Sequence, residues 1–157
     1  MYRLLAGLVA LACLGTAGAS GLDVSLSEPL AKSDYGSGKI HYALTNHTDR
    51  TLHVLRWQTP LDGLSSELFQ VTHNGEPVAY AGILAMRTAP TAADYVELAP
   101  GATLAADVDL TAHYDMKAGG QYDVRYVRDA RDVIAEVGQS AKGGVEAGYL
   151  DFDRQAQ

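Results

Sequence analysis

Cysteine is nearly absent from this chain of 157 residues, which contains one, Cys13. It lies in an apolar run, Leu4 to Leu14, between Met1-Tyr2-Arg3 and the small-residue site Ala17-Gly18-Ala19. This order predicts a secretory signal peptide, residues 1–19, cleaved after Ala19. An alternative makes Cys13 the lipidated residue of a lipoprotein. Because cleavage after Ala19 removes the cysteine, a disulfide, a thiol nucleophile and a thiolate metal site are then excluded.

Basic residues are also few, with 12 Lys and Arg against 19 Asp and Glu, and the formal net charge is −7. The basic residues form no cluster, so the composition argues against nucleic acid and against anionic membrane surfaces as partners. The residues after the signal are enough for one domain with an apolar core. We expect a secreted or periplasmic monomer.

Amphipathic helical periodicity is almost missing, whereas apolar residues alternate at period two in many short segments. The dipeptide Asn74-Gly75 predicts a type I′ hairpin turn, because both of its central residues need positive φ. Short strands between Gly, Pro and Asn turns predict an all-β fold, an immunoglobulin-like antiparallel β-sandwich over residues 20–152 with a frayed tail at 153–157. The predicted strands are 22–26, 40–44, 51–57, 67–72, 77–80, 95–98, 103–110 and 121–128, with weaker candidates at 133–137 and 145–152.

Aromatic residues favour structural roles in such a sandwich. Tyr122 follows Gly119-Gly120 at the start of a strand and is typical of a tyrosine corner, in which the phenol bonds to the backbone just upstream. Trp57, in the run LRWQTPLDGL, is expected to pack between the sheets. Asn46-His47-Thr48 matches a glycosylation sequon, but the local pattern indicates a turn.

Nothing in the sequence indicates a catalytic site, a metal site or a cofactor. The five histidines show no His-Glu-x-x-His motif and no close helical pair. Ser65-Ser66 is not within Gly-x-Ser-x-Gly, and Asp107 and Asp109 alternate onto the solvent face of a strand. One alternative is an enzyme whose site is assembled from His41, His53 and His73, which requires a bound metal.

A series of short motifs carries a resemblance to a known family. It begins with a Trp-x-Thr-Pro-Leu-x-Gly turn and a Phe-x-Val strand, and continues through a hairpin, a loop and a Gly-x-Tyr-x-Val-x-Tyr strand. The chain resembles the N-terminal, non-catalytic domain of bacterial deuterolysin-like metalloendopeptidases, the aspzincins that include peptidyl-Lys-specific enzymes. The matching residues are Trp57, Thr59, Pro60, Leu61, Gly63, Phe69, Val71, Gly75, Pro77, Val78, Tyr80, Arg87, Pro90, Thr91, Asp94, Tyr95, Leu98, Pro100, Gly101, Asp109, Leu110, Tyr114, Asp115, Gly120, Tyr122, Val124 and Tyr126.

The resemblance implies a β-sandwich that docks on a protease domain, assists its folding and keeps it latent. The zinc-binding His-Glu-x-x-His of that family does not occur in these 157 residues. Protease activity is therefore not carried over, and we expect a free-standing inhibitor or folding chaperone of a secreted metalloprotease. The rival expectation is a structural or adhesion-type module of the cell envelope that pairs with a partner by strand addition.

A long loop from Gly82 to Asp94 interrupts the strand pattern and is the predicted partner-binding segment. Arg87 is its basic residue, suited to an acidic specificity pocket, and Asp94 is suited to a zinc ion or a basic rim. Two simpler alternatives are that Arg87 is solvated and that Asp94 caps a turn. The predicted partner-binding residues are Arg87, Pro90, Thr91, Asp94 and Tyr95.

Overall fold

The computed structural model describes residues 21–128, 133–134 and 149–154. The predicted signal peptide, and most of the predicted strand at 133–137, lie outside the described residues. Within them the strands are β1 (Leu22–Ser27), β2 (Lys39–Asn46), β3 (Leu52–Leu55), β4 (Phe69–His73), β5 (Glu76–Val78), β6 (Tyr95–Leu98), β7 (Thr103–Asp109), β8 (Gly120–Tyr126) and β9 (Tyr149–Arg154). Across the same residues no helix has both the length and the apolar character to cross a bilayer.

The strands form two packed layers and a small ribbon, and every strand pair is antiparallel. One layer has the order β1-β2-β7, the other β5-β4-β8-β9, and the ribbon is β3-β6. The first layer corresponds to strands A, B and E of an immunoglobulin sandwich, and the second to strands C′, C, F and G. The predicted fold class, an immunoglobulin-like β-sandwich, is confirmed.

Aromatic side chains from both layers meet in the core. Tyr42 of β2 has its ring centroid 6.4 Å from Phe69 of β4 and 5.4 Å from Tyr126 of β8. All three are fully buried, and burial raises the pKa of the Tyr42 phenol far above its ordinary value. The alternation predicted for β8 is observed, because Tyr122, Val124 and Tyr126 share the buried face.

Three local features predicted from the sequence are present: a hairpin turn, a tyrosine corner and a turn at Asn46. Asn74 and Gly75 have φ of 49° and 86°, as the type I′ hairpin between β4 and β5 requires. The Tyr122 hydroxyl donates a 2.9 Å hydrogen bond to the Ala118 carbonyl, which confirms the tyrosine corner. Asn46 is buried, and its amide donates to the carbonyls of Arg50 and Leu98 while its oxygen accepts from Thr48. The sequon is therefore a structural turn.

Two predictions at strand ends are wrong. The strand expected over 51–57 ends at Leu55, and Arg56–Gln58 form a 3₁₀ turn, so Trp57 is half-buried beside the sandwich and not in its core. The tail expected to fray from Asp153 is still paired at Arg154, whose side chain is buried and donates to the Ser37 carbonyl. Both errors have one cause, since local pattern does not reveal which residues a neighbouring element covers.

Candidate partner-binding loop

The predicted partner-binding residues lie on one exposed segment, the β5–β6 loop, residues 79–94. From Ile83 to Ala93 every residue is exposed, and regular structure is confined to a 3₁₀ turn at Ala92–Asp94. Long loops on a rigid sandwich commonly carry function, because the framework holds them in place. The loop is fixed to the framework at its start, its middle and its end.

The start of the loop is tied to the segment before β8. The amide of Ala81 donates to the His113 carbonyl at 2.8 Å, and the rings of Tyr80 and His113 stack with an interplanar angle of 11°. The Tyr80 hydroxyl then donates a 2.9 Å hydrogen bond to the carbonyl of Ile83. These contacts fix the direction in which the loop leaves the sandwich.

The middle of the loop is held by Ser65 and Trp57. The Ala85 amide donates to the Ser65 carbonyl at 2.8 Å, and Arg87 Nη2 donates to Ser65 Oγ at 2.9 Å. The guanidinium carbon of Arg87 lies 4.7 Å from the centroid of the Trp57 ring, a cation–π contact. The side chain of Arg87 therefore makes contacts within the chain, and the tryptophan that sequence reasoning placed in the core is the platform for it.

The end of the loop is closed by the predicted turn cap. Asp94 Oδ2 accepts hydrogen bonds from the backbone amide of Thr91 at 2.7 Å and from its hydroxyl at 2.8 Å. The backbone hydrogen bond from Thr91 is the largest cause that lowers the pKa of Asp94, followed by the side-chain bond and the charge of Arg87. The capping alternative for Asp94 is thus observed in the structure.

The β3–β6 ribbon explains why these residues meet. Leu55, the last residue of β3, pairs with Tyr95, the first residue of β6. In an antiparallel pair the residues that follow one strand lie beside those that precede the other. The turn that carries Trp57 is therefore placed next to the turn that ends in Asp94.

An ion pair supports the base of this region. Arg56 donates to both carboxylate oxygens of Asp62, Nε to Oδ2 at 2.8 Å and Nη2 to Oδ1 at 2.6 Å. This hydrogen bonding lowers the pKa of Asp62, and the charges of Arg56 and Arg87 act in the same direction. A shallow cleft of about 220 Å³ results, lined by Arg56, Trp57, Asp62, Gly63, Ser65, Arg87, Ala93 and Asp94.

The structure brings some predicted site residues together and separates others. Arg87 and Asp94 line the same cleft, and Thr91 is bonded to Asp94. Pro90 is exposed at the outer part of the loop, whereas Tyr95 is half-buried in β6. The part that these residues play in partner binding stays a prediction.

The sequence analysis did not single out three large apolar side chains that are exposed on this loop. Ile83, Leu84 and Met86 are 69%, 71% and 102% exposed. Their signal was the apolar run ILAM inside a segment that fits no strand pattern, because such a run has no place in the core. Large apolar side chains gathered on a surface commonly mark an interaction site.

The histidines proposed for a catalytic metal site are distributed over separate sheets. His41 on β2 has Nδ1 2.7 Å from Asp107 Oδ1, and His53 on β3 has Nε2 3.7 Å from Glu97 Oε1. His73 on β4 stacks on Tyr122. Within residues 21–128, 133–134 and 149–154, no group of three or more His, Cys, Asp or Glu side chains is arranged to hold a metal ion.

Comparisons with known proteins agree with the immunoglobulin-like fold. A family model described as an immunoglobulin-like domain matches residues 21–142. The chain is 36% identical over 124 residues to an extracellular protease of Aeromonas hydrophila, covering 79% of this chain and 34% of that protein. It is 32% identical over 105 residues to a probable neutral protease 2 homolog of Arthroderma otae, covering 66% of this chain and 28% of that protein.

A third relative is a neutral protease 2 homolog of Uncinocarpus reesii, 29% identical over 108 residues, or 67% of this chain and 28% of that protein. The chain thus spans about a third or less of the length of these relatives. Similarity of this extent makes it a β-sandwich module associated with proteases.

Proposed function

The chain belongs to the immunoglobulin-like domain family, and from this premise we propose that it is a secreted or periplasmic, non-enzymatic module that binds a deuterolysin-like metalloprotease. It acts on the catalytic domain of that protease as an inhibitor or a folding chaperone. The observation that carries this proposal is the similarity to an extracellular protease over 79% of this chain but only 34% of that relative. The shared segment is most of this chain and a minor part of that protease, and the proposal assigns a role to this segment.

The β5–β6 loop supports an inhibitory mechanism. Hydrogen bonds from Ala81, Ala85 and Thr91 hold its backbone in one conformation while its side chains remain exposed. A segment that is ordered before binding loses little conformational entropy when it docks, so more of the contact energy appears as affinity. In this proposal Arg87, Pro90, Thr91, Asp94 and Tyr95 form or support the contact surface.

Inhibition and co-elution test the proposal. The chain purified without residues 1–19 is added to a deuterolysin-like metalloprotease, and cleavage of a peptide substrate is followed with an unrelated immunoglobulin-like domain as control. We expect slower cleavage and a shared peak in size-exclusion chromatography with the chain alone. Unchanged cleavage together with separate elution would show that the proposed function is wrong.

A structural envelope module is the second candidate, and the edge strand β7 favours it. Among the described strands, β7 pairs with β2 only, which leaves its other edge available for strand addition. Affinity capture from the native secretome separates the candidates, since a protease supports the first and an envelope component the second.

A further inference from the structure

The exposed apolar residues of the β5–β6 loop are held in place by the sandwich. Ile83 is bonded through its carbonyl to the Tyr80 hydroxyl, and the Ala85 amide is bonded to the Ser65 carbonyl. Leu84 and Met86 flank Ala85 on either side and are 71% and 102% exposed. A surface loop without a binding role gains nothing from exposing such side chains, and solubility is reduced by them.

Residues 83–88 have no turn or helix of their own. When such a segment binds in extended form, alternate side chains share one face, which puts Leu84 and Met86, two residues apart, on the same side. A cleft that binds an extended peptide reads its side chains in separate pockets and its backbone by hydrogen bonds.

The charge of the segment differs from that of the whole chain. Residues 81–93 contain no Asp or Glu and one basic residue, Arg87, although the chain has a net charge of −7. The Arg87 guanidinium is already engaged with Trp57 and Ser65. The outer surface of the loop is therefore apolar with a positive flank, which suits a cleft that has apolar pockets and an acidic rim and disfavours a basic one.

We propose that Ile83, Leu84 and Met86 enter the substrate-binding cleft of the protease as a substrate-like peptide, with Leu84 and Met86 in apolar pockets. This inference rests on the proposed function and identifies the side chains that make the contact. Arg87 then acts as a clamp that orders the segment, and it is not the residue that the protease pocket recognises. Inhibition by this mechanism is competitive with peptide substrates.

The experiment compares single and double serine substitutions, Leu84→Ser and Met86→Ser, with Leu30→Ser. Leu30 is a matched control because it is 82% exposed but lies between β1 and β2. We expect the inhibition constant of the double variant to rise on the order of tenfold or more, as for loss of central apolar contacts. Leu30→Ser should leave it within about twofold, and thermal unfolding of each variant confirms that the fold is retained.

The outcomes separate the two proposals. If the unsubstituted chain inhibits and the double variant inhibits equally well, this inference is overturned while the proposed function stands. If the unsubstituted chain neither inhibits nor binds, the proposed function fails first. Inhibition that is not competitive with substrate, or a dimer of the chain alone that the double variant abolishes, would also overturn the inference, since the apolar residues would then serve another contact.

Discussion

Two regions of the molecule use large apolar side chains in opposite ways. In the core, Tyr42, Phe69 and Tyr126 have no exposed surface. In the β5–β6 loop, Leu84 and Met86 are 71% and 102% exposed, although hydrogen bonds fix the backbone around them. Apolar surface removed from water stabilises the fold by roughly 25 cal/mol per Å², whereas apolar surface left in water stabilises nothing until a partner covers it.

The difference teaches that order and burial are separate properties here. The core residues are ordered because they are packed, and the loop is ordered because polar contacts hold its backbone. Ser65, Trp57 and Asp94 provide the contacts that order the loop. A chain can therefore present a rigid apolar segment without hiding it, and substitutions in the two regions should have contrasting effects.

The largest expected effect is on the core. Phe69→Ala should lower the free energy of unfolding by about 3–5 kcal/mol, because it removes a fully buried ring that packs against Tyr42 and Tyr126. Leu84→Ala should change it by less than about 0.5 kcal/mol. Urea unfolding followed by far-ultraviolet circular dichroism measures both. Equal losses of unfolding free energy in the two variants would contradict the contrast between core and loop, since Leu84 would then contribute to the stability of the fold.

A smaller effect is expected at the β4–β5 hairpin, just before the loop. Gly75 has φ of 86° and an added Cβ would meet nothing within 4 Å, so Gly75→Ala tests backbone conformation alone. We expect a loss of about 1–2 kcal/mol in the free energy of unfolding. Glu76→Ala in the same hairpin is the control and should fall within about 0.5 kcal/mol of the unsubstituted chain. A neutral Gly75→Ala would mean that the turn rearranges.

The clamp on the loop should affect order more than stability. Arg87→Ala removes the contact with Trp57 and the hydrogen bond to Ser65, so limited proteolysis within residues 81–94 should become faster. The free energy of unfolding should change by less than about 1 kcal/mol. Arg125→Ala, an exposed change on β8, is the control. Unchanged proteolysis would show that the other anchors of the loop are sufficient.

The smallest effect is expected in acid. Hydrogen bonds from Thr91 lower the pKa of Asp94. The stabilisation of the loop by the ionised carboxylate is therefore fully present above the unfolded pKa of about 3.9, and it is lost as the pH falls through the lower folded pKa. The protection of the Thr91 amide from hydrogen exchange, measured relative to an unstructured peptide at the same pH, should fall in that range. Asp94→Asn should remove this pH dependence, whereas Asp49→Asn, an exposed change outside the loop, should preserve it.

Much of the framework was predictable from sequence, for identifiable local reasons. Period-two alternation located β2, β7 and β8 to within about two residues at each end, because one face of each strand is buried. Asn74-Gly75 determined the hairpin, and the position of Tyr122 after two glycines indicated its corner. The sequence also placed the candidate site on the loop before Tyr95, since no strand pattern fits that segment.

The roles of the site residues were decided by tertiary structure. Trp57, expected in the core, lies under Arg87 because the pairing of Leu55 with Tyr95 brings the turns next to β3 and β6 together. Arg154, expected in a frayed tail, is buried because β9 pairs along β8.

The sequence by itself determined the strands, the hairpin and the apolar composition of the loop, since these depend on neighbours along the chain. Only the tertiary structure decided which of the apolar side chains are buried and which polar contacts fix the backbone of the loop. Burial depends on strand pairings such as Leu55 with Tyr95, which join residues far apart in sequence. The exposure of Leu84 and Met86 also depends on a contact between residues separated in sequence. The Ser65 carbonyl accepts a hydrogen bond from Ala85, which lies between them.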